Sequence, residues 1–399
     1  MTPIDSTMSV PVAIVGAGPA GLMLAHRLGR AGISCVNIDI RSRDEIETTH
    51  RAGILEAPAA RDLVETGVSD RVLRDGHEHR GIELRFGGRP HRIDFADLVG
   101  ESVWLYPQTD VFIDLADARA RDGGTVFFGV SQVDVTDAVA AAPSIRFTSA
   151  DGARHEVRAR YVVGADGSRS VCRGLTPASE RVQYFREYPF AWFGILCRAP
   201  ISAPELVYAH SDRGFALISQ RTDTVQRMYL QCDPDEDVTA WDDARIWETL
   251  QARVAGDDGF RLREGPIVEK TVLRFRSFVQ QPMRWGSLLL AGDAAHTVPP
   301  TGARGLNLAL HDVKILAEVL TRALGPEGES ALADYEPRAL GRVWKAQNFS
   351  WWMTQMLHSA PGASDFDRAR QLGELDNVVS TRAGRAYLAE QYTGWPSEG

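Results

Sequence analysis

Hydrophobic and polar positions keep three different rhythms in turn along the chain. Near the start, Val10 to Val15 is an unbroken β-rich apolar run. It leads directly into Gly16-Ala17-Gly18-Pro19-Ala20-Gly21 and then into helical spacing at Leu22, Leu24, Ala25 and Leu28. A second run, Ser34 to Ile38, completes a strand, glycine turn, helix, strand unit, the opening of a nucleotide-binding α/β domain. Residues Met1 to Ser9 are expected to form a disordered leader. The rhythm then changes to alternation. Gly81 to Phe86, His91 to Phe95 and Val103 to Tyr106 read as a small sheet inserted at about 81–107. Phe190 to Leu196, Glu205 to Ala209, Gly214 to Ser219 and Gln226 to Gln231 read as a mostly antiparallel sheet, broken by a helix near Trp241 to Val254. From Leu288 the pattern is a short strand to Ala291, a loop, and helices over Asp312 to Leu324, Leu332 to Leu357 and a last segment ending near Tyr392, interrupted at Pro361. The expected class is mixed α/β (α+β). A leader covers 1–9, a Rossmann-like domain 10–181, a β-rich substrate domain 182–287, and a strand-loop-helix segment with C-terminal helices 288–399.

Composition narrows what such a fold can do. The chain has 399 residues, 44% of them hydrophobic and 24% charged, with a net charge of −9 that disfavours nucleic acid and anionic membranes. Cys35, Cys172, Cys197 and Cys232 lie far apart without paired spacing, so neither a metal site nor a disulfide framework is expected. Free thiols in a cytoplasmic setting fit better. The sequence shows no long uncharged apolar run for a membrane span and no basic-then-apolar signal peptide.

The chemistry concentrates at strand ends. In Gly16-x-Gly18-x-x-Gly21 the first glycine permits a tight turn, the second lets backbone approach a pyrophosphate, and the third lets helix and strand pack closely. Asp39 ends the second strand, where a carboxylate accepts ribose hydroxyls. These residues leave NAD and FAD equally open. His50-Arg51-Ala52-Gly53-Ile54 brings an arginine, whose fork of donors suits pyrophosphate oxygens, to a small-residue turn. Tyr161 to Gly167 and Leu288 to Asp293 are further strands, ending in Asp166 and Asp293. Pro299-Pro300 stiffens the next loop and leaves carbonyl acceptors. Gly302 and Gly305 then open a helix, whose first N–H groups beside Leu306 and Asn307 suit an oxygen that becomes anionic.

Taken together, GAGPAG, the GADG strand end and AGDAAHTVPPTGARGLNLA resemble the group A flavoprotein aromatic hydroxylases. Within that family, Glu205 to Ala209, Arg213 to Arg221, Phe349 to Thr354 and Glu390 to Tyr392 are similar to the branch that acts on 4-hydroxybenzoate, and the similarity spans nearly the whole chain after the leader. The resemblance implies non-covalent FAD, NADH or NADPH as reductant, and dioxygen. The implied reaction is oxygen transfer through a flavin C4a-hydroperoxide that gives 3,4-dihydroxybenzoate. A homodimer is implied as well.

Carried over residue by residue, the substrate's carboxylate falls to Ser219, Arg221 and Tyr229, with Gln220 beside them. Its phenol falls to Tyr208 and Tyr392, with the Pro300 carbonyl as a further acceptor and His79 at the exit of a proton relay. A histidine titrating near neutral pH would suit that exit. FAD falls to Gly16, Gly18, Ala20, Gly21, Asp39, the turn Thr49, His50, Arg51, Ala52, Gly53 and Ile54, then Gln108, Asp166, Asp293, Leu306 and Asn307. Thr301 is expected beside the reacting flavin edge, and Trp192, Leu206, Leu217 and Ile54 as apolar walls. Arg304 stands where the family commonly has lysine. Arg41 and Arg43 could meet a 2′-phosphate of the nicotinamide, which Glu45 would repel, while Arg51, Arg169 and Arg276 match positions near the transient nicotinamide site. Two rival readings are a hydroxylase for a related hydroxy- or aminobenzoate and a flavin-binding protein without turnover.

Overall fold

The structure is a computed structural model that describes residues 4–49, 53–139 and 142–395. Its first sheet is built on parallel neighbours: Leu288–Leu290, Arg154–Gly164, Ser6–Val15, Cys35–Ile38 and Thr125–Phe127, in that spatial order. The central pair, Ser6–Val15 and Arg154–Gly164, is buried at its C-terminal half, and the helices Pro19–Arg30 and Arg304–Leu324 belong to the same apolar core. Burial on both faces explains why these strands read as continuous apolar runs rather than as alternation. The mixed α/β class is as expected.

Two expectations are corrected. Ser6 to Ser9 are not a disordered leader: they extend the first strand and pair in parallel with His155 to Arg158. Their alternation of small polar residues with Met8, which packs on the core, is that of a strand with one side exposed.

The second correction concerns the inserted sheet. Gly81–Phe86 and Arg89–Asp94 do not form a small sheet of their own. They extend the substrate sheet, because Leu206 to Ala209 pair in parallel with Ile82 to Arg85. Ile82 and Leu84 are thereby fully buried. Val103–Leu105 instead joins a separate three-stranded sheet with Ile54–Glu56 and His77–His79.

The substrate sheet contains Val182–Cys197, Leu206–Ser211, Gly214–Thr222, Val225–Cys232 and a long strand, Ile267–Gln281, that lay outside the sequence pattern. Its two faces sort cleanly by parity. Trp192, Leu206, Tyr208, Phe215, Leu217 and Tyr229 point to a core shared with the C-terminal helices. Phe193, Val207, Ala209, Ala216, Ile218, Met228 and Leu230 point to the opposite side, under the helix Asp243–Val254. One face therefore packs under the helix Asp243–Val254 and the other against the C-terminal helices.

Candidate functional site

Three loops leave the parallel sheet at the same edge. The backbone ties them together: Gly16 N–H donates to the Ile38 carbonyl at 2.7 Å, Ala165 N–H to Val15 at 2.8 Å, and Ala291 N–H to Gly164 at 2.9 Å. The glycine turn, Asp39, Asp166 and Asp293 thus share one rim, where ligands of such sheets bind. Gly16 has φ +115°, and a Cβ there would lie 2.2 Å from the Ala165 carbonyl oxygen, so the position requires glycine.

The rim fits a dinucleotide with an anionic end. The helices Pro19–Arg30 and Arg304–Leu324 both start without a side-chain cap and without an acid in the first turn. Other helices, among them Arg43–Glu47, Asp243–Val254 and Asp365–Ser380, are capped by Ser or Asp side chains. The bare N–H groups at the rim suit an anion as their cap. A Cβ on Gly18 or on Gly305 would meet nothing within 4 Å, so open space lies over both helix starts. Gly53 packs so tightly that a Cβ would come 2.6 Å from Gln108 N, which places Gln108 beside the Gly53-Ile54 turn.

Not every expected group points into this space. Asp39 Oδ2 accepts the Ala17 N–H at 2.8 Å and also faces Arg41. Asp166 turns into its own loop and accepts from Ser170 Oγ at 2.5 Å and Val171 N–H at 2.8 Å, so its carboxylate shapes the turn. Asn307 uses its side chain to clamp a strand: Nδ2 donates to the Ile54 carbonyl at 2.8 Å and Oδ1 accepts Glu56 N–H at 3.0 Å. Leu306, half-buried, lies in the uncapped first turn. Thr49 Oγ1 donates to the Glu45 carbonyl at 2.7 Å, while His50, Arg51 and Ala52 lie outside the described residues. Arg169 and Arg276 are exposed. Arg41 and Arg43 are ion-paired, the first with Asp39 and the second with Glu47 and Asp117. Glu45 is spent in the capping box with Ser42.

On the sheet face toward the C-terminal helices, the Tyr208 and Tyr392 hydroxyls are 2.7 Å apart and both residues are at most 2% exposed. Burial first, then the neighbouring Tyr392, pushes the Tyr208 hydroxyl well above the ordinary phenol range; burial takes Tyr392 up to about 12. Both are therefore neutral at physiological pH. Register places Tyr208, Leu217 and Tyr229 in one row across three strands, with Ser219 two residues further on the same face. Arg221 follows at a register shift between Gln220 and Thr222, a bulge that re-aims the side chain, and desolvation holds its guanidinium below the ordinary value. Gln220 is 6% exposed, with Oε1 unpartnered among the described residues. Trp192 stacks on Phe215 at 5.6 Å and packs on Tyr229 at 4.7 Å, forming one wall.

The loop between the two regions is held rigidly. The Pro300 carbonyl accepts the Ala303 N–H at 2.9 Å, which leaves one lone pair free, and Ala303 takes the left-handed conformation at φ +54°. Thr301 is fully buried, its hydroxyl 2.9 Å from that of Thr354.

One position differs from the sequence expectation. His79 does not sit at a surface exit and does not titrate near neutral pH. It is 1% exposed in its strand, and desolvation pushes it down to about 4. Arg304, where the family commonly has lysine, is fully buried, paired with Glu56, which also binds Arg342 at 2.6 Å, and it lies over the Phe349 ring at 4.8 Å. Sequence reading missed Glu56 and Arg342 because the partners are far apart in the chain.

A family model described as FAD binding domain matches residues 9–350. The chain belongs to this FAD-binding family. A p-hydroxybenzoate hydroxylase of Acinetobacter baylyi is 40% identical over 98% of this chain and 97% of its own length. A probable NADH-specific resorcinol 4-hydroxylase of Rhodococcus jostii is 26% identical, over 82% of this chain and 62% of its own length. Among solved structures, p-nitrophenol 4-monooxygenase PnpA from Pseudomonas putida DLL-E4 matches with a TM-score of 0.80 at 20% identity, covering 98% of this chain and 99% of that one. At that identity the likeness carries the fold alone. The chain is an FAD-dependent aromatic hydroxylase, an oxidoreductase of the monooxygenase type. Among the described residues no helix is long and apolar enough to cross a membrane, and no group of His, Cys, Asp and Glu could hold a metal.

Proposed function

We propose that the chain hydroxylates 4-hydroxybenzoate to 3,4-dihydroxybenzoate, using dioxygen and a reduced nicotinamide. The observation that carries this reading is the buried Tyr208–Tyr392 hydroxyl contact against the sheet face that also carries Tyr229 and Ser219, with Arg221 following at the bulge. Leu217, in the tyrosine row, and Arg221 are four residues apart, about 13 Å of strand at ~3.3 Å per residue. Once the side chains reach inward, that span holds one benzene ring with a polar group at each end. The named relative at 40% identity supports the same substrate.

In this reading Arg221, Ser219 and Tyr229 hold the carboxylate, with Gln220 beside them, and offset its desolvation. At the other end the Tyr208 hydroxyl takes the phenol proton and hands its own to Tyr392, so the substrate ionises while both tyrosines remain neutral. The Pro300 carbonyl offers its free lone pair to the same network. His79, neutral and buried, is assigned a later step of the relay inside the protein: an uncharged imidazole accepts at one nitrogen and releases from the other. Ionisation enriches the ring carbon beside the phenol oxygen, which is what attack on an electrophilic oxygen requires. The glycine turn, Ala20, Asp39, the Gly53-Ile54 turn, Gln108, Asp293 and the Leu306 end of its helix would hold FAD at the parallel-sheet rim, and the bound cofactor, once reduced by the nicotinamide, would activate dioxygen, one atom of which goes to the ring. Thr301 borders that edge. Trp192, Leu206, Leu217 and Ile54 exclude water.

The pairing of Arg41 and Arg43 with acids leaves neither guanidinium free for a 2′-phosphate, which favours NADH over NADPH. Arg169 and Arg276, both exposed, are assigned to meet the dinucleotide. A homodimer is the favoured assembly. Tyr184, Phe185, Trp344 and Trp351 expose aromatic surface around a groove of about 400 Å³ that a second copy would cover. Four free thiols suit a reducing cytoplasm.

One assay matrix tests the reading: both nicotinamides against 4-hydroxybenzoate, 3-hydroxybenzoate, salicylate and 4-aminobenzoate. Nicotinamide oxidation should be stimulated strongly by 4-hydroxybenzoate. A stronger response to another ring would reassign the substrate, and equal rates with and without any ring would favour a flavin-binding protein without turnover.

A further inference from the structure

Directly behind the Gly292-Asp293 turn lies a buried ionisable pair that has no part in the proposed hydroxylation. His296 Nε2 and Asp312 Oδ2 are 2.6 Å apart, with side chains 2% and 0% exposed. The same Asp312 oxygen accepts the Gly292 N–H at 2.8 Å. Gly292 is in the left-handed region at φ +61°, and a Cβ there would press on Ala309 Cβ at 3.1 Å. The corner is thus fixed from one side by helix packing and from the other by a carboxylate. Asp312 stands on the apolar face of the helix Arg304–Leu324, between Leu308 and Leu316, so one helix carries both the uncapped N-terminus at the rim and the group that pins the neighbouring turn.

Adhesion alone does not account for the pair, because apolar residues of the same volume would join helix and turn at least as well as buried charges. Charge itself is used. Burial opposes protonation of His296, yet Asp312, with Asp293 adding, more than offsets it and holds the imidazole above its ordinary value. The imidazole therefore feels two carboxylates, one pinning the turn and one on it.

We propose that Asp312 and His296 are positioning residues for FAD. Asp312 fixes the Gly292 corner through its N–H, and His296 holds the Asp312 carboxylate in the orientation that does so, so that Asp293 is presented to the cofactor's sugar chain. This rests on the assignment of Asp293 to that chain.

The test is a double-mutant cycle read as FAD affinity of the apoprotein, by titration of flavin fluorescence, with no turnover involved. Asp293→Asn should weaken binding, and Asp312→Ala should weaken it roughly tenfold to a hundredfold. In the Asp293→Asn background, Asp312→Ala should add little, because the group it positions is already disabled. Full additivity would overturn positioning and leave Asp312 a structural residue. An unchanged affinity in Asp293→Asn would overturn the Asp293 assignment and the proposal with it. If Asp312→Ala does not fold, His296→Gln, which keeps a donor toward Asp312, runs the same cycle: a smaller loss that vanishes in the Asp293→Asn background supports positioning, and an additive loss overturns it.

Discussion

The parallel sheet serves the site with its edge, the antiparallel sheet with its face. At the edge, backbone does the work: two uncapped helix starts, tight glycines and hydrogen bonds that align three strand ends. On the face, the proposed roles fall to single side chains, because every second residue projects to the same side of the sheet. The edge therefore binds a large cofactor through many small contributions that fail together. The face handles a small ring through a few side chains that can be removed one at a time.

Substitutions can break this contrast, and the largest effect is expected on the face. Arg221→Ala should raise the Kd for 4-hydroxybenzoate by about a hundredfold to a thousandfold, measured by the substrate-induced change in the flavin spectrum, with FAD content unchanged. Loss of FAD in this variant would blur the division between edge and face. Tyr208→Phe should cut product formed on the order of a hundredfold while leaving substrate-stimulated flavin reduction within a few-fold. Equal losses in both steps would contradict a role confined to the phenol proton.

Glu56→Gln leaves the buried Arg304 and the half-buried Arg342 with a neutral partner and should destabilise the fold by about 3 kcal/mol, read by denaturant unfolding of the holoenzyme. The smallest effect concerns pH. His79 has a folded value of about 4 against an ordinary 6.5, so between those values the unfolded chain takes up a proton that the folded one refuses. Its share of stability is whole above 6.5 and lost as pH falls toward 4, by roughly 3 kcal/mol at the low end. His79→Gln should flatten the fall of Tm between pH 7 and 5 in part; an unchanged slope would show that His79 titrates normally.

The edge was more legible in the sequence than the face. A turn such as Gly16 to Gly21 is written in consecutive residues, and its meaning depends only on the strand before it and the helix after. Tyr208 and Tyr392 are 184 residues apart, and without a resemblance both read as packing residues. His79 was misjudged because solvent exposure is decided by the partner strand Val103–Leu105, not by local polarity. Gly81–Phe86 was assigned to the wrong sheet for a like reason, since alternation marks a strand but does not name its neighbour. Asp312 did leave a signal: an acid on the apolar face of a helix, between Leu308 and Leu316, demands a buried partner.

The central claim is that edge and face meet around one para-hydroxylated benzoate, so that reduction at the edge ends as oxygen on the ring held by the face. Turnover with 4-hydroxybenzoate, NADH and labelled dioxygen, with the product resolved by chromatography and mass spectrometry, tests it most directly. The account predicts one labelled oxygen atom in 3,4-dihydroxybenzoate for close to each NADH consumed. NADH consumption that yields only hydrogen peroxide, with the benzoate recovered unlabelled, would contradict it.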